Sequence, residues 1–321
     1  MRKGALQKIL LAACAAALAT SVNAAKVMTP DEDEDDLVPS GKGWGNRAEP
    51  TPGFVTHGNN GNGQARPGGG GSSGSNGINY HGGPVMLGTT NVYYIWYGNW
   101  TGNTANSILT SLAQSMGGSS WFNINTTYYN ASNAHVSNSV SYGGSTNDNY
   151  SQGSALSDSA IKTVVNNAIV SGKVPKDTNG VYFVLTSSDV TATSGFCTQY
   201  CGWHTHGTIQ GGDIKYAFIG NPDRCPSACA AQTTSPNNNA GADGMASIIS
   251  HELSEAVSDP DLNAWYDRQG MENADKCAWT FGTESTASNG SKYNVTIGSN
   301  KYLIQRNWVN AGGGYCATAY P

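Results

Sequence analysis

Charge is scarce in this sequence. Asp, Glu, Lys and Arg make up 12% of its 321 residues, with 17 Lys and Arg in all. Nucleic-acid binding needs clustered Lys and Arg to meet the phosphates, so a nucleic-acid partner is excluded. Past the N-terminus, no apolar run approaches the ~20 residues of a membrane-spanning helix. Several catalytic signatures are missing too: there is no nucleophile elbow, no phosphate-cradling P-loop and no dinucleotide fingerprint. The glycine run 68–71 follows no strand and precedes no helix, so it is linker. No internal repeat is visible.

The N-terminus reads as an export signal covering residues 1–24. Arg2, Lys3 and Lys8 form its basic start, residues 9–19 its apolar run, and Val22-Asn23-Ala24 a small-residue cleavage site. Its removal takes away three positive charges and moves the formal net charge from −5 to −8. Residues 25–77 form a leader and linker. An acidic run, DEDEDD, occupies 31–36, and a Gly/Asn/Ser tract follows from 58. Neither can bury a core. The folded domain is expected over 78–321.

Six cysteines remain beyond the signal: Cys197, Cys201, Cys225, Cys229, Cys277 and Cys316. An even number in an exported chain argues for three disulfides rather than a zinc site, and fifteen pairings are open. The preferred arrangement links Cys277 to Cys316 and leaves the other four to staple the segment before the central helix.

Residues 91–100 (NVYYIWYGNW) have the aromatic and β-branched density of a strand. A helix is expected over 104–116, loops or short strands over 123–149, and a second helix over 155–170. Strands follow at 180–186 and 214–219, and a hairpin closes the chain with arms 293–297 and 302–304. The class is α/β or α+β: a single disulfide-stapled, zincin-like domain with a mixed sheet and a central motif helix.

That helix is expected over 244–258, capped by Asp243 and stopped by Pro260. It carries His251-Glu252-Leu253-Ser254-Glu255, an H-E-x-x-E string. Residues at i and i+4 share a face, so His251 and Glu255 can hold one metal ion while Glu252 acts as base on a bound water. The alternative reading is an ordinary solvated polar face. A catalytic zinc usually takes three protein ligands. The candidates for the third are Asp259, Asp261, Asp267, Glu272 and Asp275, and more distantly His204 and His206. Glu272 is favoured, with Asp275 as second choice or as a partner orienting His251. His204 and His206 read best as turn residues beside a disulfide. One divalent ion is expected, zinc first, with Mn²⁺ or Ca²⁺ open because Glu255 makes the site harder.

Residues 80–86 (YHGGPVM), 91–100, 185–190 (LTSSDV), 196–204 (FCTQYCGWH), 243–266 and 274–277 (ADKC) together resemble the Exordium-like, or phosphate-induced, family. The likeness spans about 78–316 and includes the six-cysteine pattern. It implies an extracellular or cell-wall protein connected with growth. Two functions compete. One is a metal-dependent hydrolase of peptidase type, with His251, Glu255 and Glu272 as ligands and Glu252 as base. The other is a non-catalytic signalling or wall-binding module contacting peptide or polysaccharide, to which the aromatic run 93–100 could contribute, although that run reads first as core.

Overall fold

The computed structural model describes residues 77–321 and Pro39. The expected signal lies outside the described residues, as do the acidic leader and linker apart from Pro39 and Gly77.

The aromatic run forms strand β1 (Thr90–Tyr97), which pairs on both sides inside a five-stranded sheet. With β2 (Val140–Asp148), β3 (Gly180–Thr186), β4 (Gly202–Ile209) and β5 (Gly212–Ile219), the order is β2-β1-β3-β5-β4. The first four in that order are parallel, and β4 returns antiparallel at the edge. All seven residues of β3 are buried, as expected where a parallel strand is covered on both faces. Tyr94, Trp96 and Tyr97 are buried as well. The aromatic run is therefore core, not a platform for carbohydrate.

β2 is longer than the short strands that, with loops, were expected over 123–149. Its sequence, VSYGGSTND, is polar because alternate residues face out along the sheet edge. One of its two glycines meets a neighbour's ring: a Cβ on Gly143 would stand 2.3 Å from Tyr93 Cε1. Helix α1 (Ala105–Met116) crosses from β1 to β2 and buries Ile108, Leu109, Leu112 and Met116. Helix α2 (Asp158–Val170) starts three residues later than expected. Ser157 caps it by accepting from Ala160 N–H, while Ala155–Leu156 form a short strand.

The motif helix, α3 (Ala240–Ser258), gains a turn at its start. Its cap is Asn239, whose Oδ1 accepts from Ala242 N–H at 2.9 Å. Asp243 sits inside the first turn instead, its carboxylate taken up by Ser235 and Asn237. Every residue of α3 except Ala240 and Gly244 is buried. The solvated-face reading of the H-E-x-x-E string therefore fails. Ser250, Ser254 and Ser258 donate to carbonyls one turn back, which satisfies three buried hydroxyls within the helix.

Three disulfides join Cys197 to Cys225, Cys201 to Cys229 and Cys277 to Cys316. The first two run side by side and fasten the entry to β4 against the segment preceding α3. Trp265–Tyr266 pairs with Asn79–Tyr80 and brings the start of the domain against the loop after α3. The last hairpin pairs Val295–Ile297 with Asn300–Tyr302, so its second arm begins two residues earlier than expected. Among the described residues, no helix is long and apolar enough to cross a membrane.

Candidate metal centre

Three segments converge under the edge of the sheet. α3 contributes His251, Glu252 and Glu255, the loop after it contributes Glu272 and Asp275, and β4 contributes His204. Edge strand and helix touch closely because position 202 is glycine. A Cβ there would lie 2.5 Å from Ile248 Cγ2 and 3.0 Å from Glu252 Oε1. His204, two residues on, shares that face of β4.

The loop is fixed to the helix by its own polar groups. Asp275 N–H donates to Glu255 Oε1 at 3.1 Å, and Glu272 N–H donates to Asp275 Oδ2 at 3.2 Å. Asn273 Nδ2 donates to the Ser254 carbonyl at 3.1 Å. The Cys277–Cys316 disulfide then anchors the loop's far end.

The two oxygens of Glu255 face different partners. Oε1 lies 2.9 Å from His251 Nε2, and Oε2 lies 3.7 Å from His204 Nε2. Asp275 Oδ1 lies 3.3 Å from His251 Nε2. Both oxygens of Glu272 lie 3.1 Å from His204 Nε2. Two groups of donor atoms result, His251–Glu252–Glu255 and His204–Glu255–Glu272, with the atoms of each within 4.8 Å of one another. Glu255 belongs to both.

Little of this reaches solvent: His251 is 6% exposed, Asp275 4%, Glu252 2%, His204 and Glu272 1%, and Glu255 0%. Glu252 Oε2, Glu255 Oε2 and His204 Nδ1 have no hydrogen-bond partner. Burial pushes Glu252 and Glu272 well above the carboxylate range, and neighbouring Glu255 adds to it. Burial and Asp275 raise Glu255 to about 7. Burial drives His204 down to about 3, so its imidazole is neutral. At His251 burial again opposes the charge, but Glu255 and Asp275 outweigh it and hold the group well above its usual value.

The other candidates for a third ligand have different work. Asp259 Oδ1 accepts from the N–H groups of Asn263 and Ala264, closing the turn after α3. Asp267 accepts from Gln269 and Met271 N–H and pairs with Lys276 at 2.9 Å. Asp261 and Asp213 gather around His206, where Lys215 already supplies a cation. His204 is the residue to which sequence reasoning gave too little weight. Alternation with His206 was the available signal, but the flanking cysteines and glycines suggested a turn.

Residues 78–318 match the model of the family described as the phosphate-induced protein 1 conserved region. Protein EXORDIUM-like 5 of Arabidopsis thaliana is 33% identical over 272 residues, covering 72% of this chain and 75% of its own. Protein EXORDIUM-like 3 of the same plant is 32% identical over 270 residues, 72% of this chain and 80% of its own. Protein PHOSPHATE-INDUCED 1 of Nicotiana tabacum is 27% identical over 237 residues, 64% of this chain and 72% of its own. No solved structure matches the chain.

Proposed function

The chain belongs to the phosphate-induced protein 1, or Exordium-like, family, and we propose that it is an exported protein whose domain is built around a buried divalent-cation centre. One observation carries this reading. Four carboxylates, those of Glu252, Glu255, Glu272 and Asp275, are buried around two imidazoles, and neither Glu252 nor Glu255 has its second oxygen hydrogen-bonded. Buried carboxylates require a counter-charge or a proton. Among the described residues no Lys or Arg pairs with these four. The mixture of imidazole nitrogen and carboxylate oxygen suits zinc, and its oxygen-rich side also suits Mn²⁺ or Ca²⁺. Bound there, the ion would supply positive charge to a low-dielectric interior and hold α3, β4 and the 272–275 loop together.

A second reading, a zincin-like metal-dependent peptidase, is favoured by Glu252. Its carboxylate stands in the same donor group as His251, with one oxygen unpaired, where a base acting on a bound water would stand. Burial weighs against it, because a substrate needs access that these exposures do not provide. Export rests on the N-terminal segment, on three disulfides and on the family.

Metal content and cleavage of a mixed peptide library, measured together, separate the readings. His251→Ala and Glu255→Ala are expected to lower the metal content, while Glu252→Gln keeps it. No cleavage by the parent supports the metal-stabilised domain. Cleavage by the parent, lost ~10²-fold or more in Glu252→Gln, establishes the peptidase. Equal metal content in all four proteins overturns the centre itself.

A further inference from the structure

We propose that the centre holds two divalent ions bridged by the Glu255 carboxylate, an inference that rests on the metal-binding reading above. The first observation is the division of donors. Oε1 of Glu255 faces His251, and Oε2 faces His204. Each imidazole also has a second carboxylate of its own. Asp275 Oδ1 stands 3.3 Å from His251, and Glu272 stands 3.1 Å from His204 through both oxygens. The ligands named from the motif therefore do not surround one point, since Glu272 completes the set on the far oxygen of Glu255.

The spacings suit donors that share an ion as well as they suit direct hydrogen bonds. Two donors bound tetrahedrally at zinc distances, each ~2.1 Å from the ion, stand ~3.4 Å apart. The imidazole–carboxylate separations run from 2.9 to 3.3 Å around His251 and from 3.1 to 3.7 Å around His204. Two-metal hydrolytic sites place their ions ~3.5–4 Å apart, a separation that a carboxylate contributing one oxygen to each can bridge.

The unpaired oxygens divide in the same way: Glu255 Oε2 lies on the His204 side, and Glu252, whose Oε2 has no partner, belongs to the His251 group.

The test is elemental analysis of the full chain purified from manganese-supplied culture, combined with electron paramagnetic resonance. Two ions per chain and an exchange-coupled manganese spectrum are expected for the parent. His204→Ala and His251→Ala are each expected to keep one ion, with an uncoupled six-line spectrum, and Glu255→Ala fewer than one. Should His204→Ala fail to fold, Glu272→Gln preserves the shape of the same half-site and is likewise expected to keep one. A parent with a single ion, retained in His204→Ala and Glu272→Gln, overturns the bridged pair but leaves the centre standing. A parent with none overturns both.

Discussion

The carboxylate of Glu272 straddles the imidazole of His204, each oxygen 3.1 Å from Nε2, across 68 residues of sequence. With His204 neutral, the contact in the absence of a cation is a buried hydrogen bond, not an ion pair. His204→Ala strands the carboxylate in the interior. The expected loss is about 1–3 kcal/mol in urea unfolding of metal-free protein, the range for a buried polar group left without its partner.

Metal-free and metal-loaded protein should respond oppositely to pH. Without an ion, Glu252, Glu255 and Glu272 hold protons in the folded state above the pH at which the unfolded chain releases them. Their contribution is present at low pH and is lost as pH rises through about 7, the value for Glu255. His251, raised in the fold, acts in the same direction. His204 acts against it: the unfolded imidazole takes a proton near 6.5 and the folded one only near 3, so it costs stability as pH falls. Three carboxylates outweigh one imidazole, at about 1.4 kcal/mol per pH unit for each excess proton. A bound ion competes with those protons. The rise in Tm on adding Zn²⁺ should therefore be larger at pH 8 than at pH 5.5, and equal rises would refute the account.

Disulfide losses should not add. Cys197–Cys225 and Cys201–Cys229 close the same loop, each spanning 28 residues. Replacing either pair by alanine leaves the loop closed by the other, so each single removal should cost well under the ~3 kcal/mol of an isolated staple. Removing both should cost more than twice either one. Cys277–Cys316 has no such double, and its removal should show the full cost in guanidinium unfolding.

Gly202→Ala tests the contact between edge strand and helix. The added methyl meets Ile248 at 2.5 Å and the Glu252 carboxylate at 3.0 Å. Overpacking of this kind costs about 1–3 kcal/mol. Metal content should fall with stability, because the shift separates His204 from α3. Wild-type metal content in a destabilised Gly202→Ala would show that the two sides move together.

Secreted material should begin near Ala25, and limited proteolysis should leave a core starting near Ile78. Met1 retained on exported protein, or a protease-resistant leader, would contradict this.

Local pattern carried much of the fold. β3 was legible to the residue because a strand buried on both faces is continuously apolar, and α1 because its buried positions repeat at helical spacing. β2 was not, since an edge strand needs only alternate burial and its Gly143 answers to Tyr93, a residue about 50 positions away. The start of α3 was misplaced because Asn239 and Asp243 are both acceptable caps, and the choice depends on Ser235 and Asn237 occupying the aspartate. At the centre, the helix residues could be read from their i, i+4 spacing. The pairing of Glu272 with His204 could not, because it depends on an antiparallel turn of the sheet that no local spacing records.

Enclosure has a kinetic consequence. With no member of the cluster more than 6% exposed, an ion held there would exchange through opening of the chain rather than from the closed fold. Such an ion would be one acquired as the chain folds, and its identity would record the solution in which folding took place.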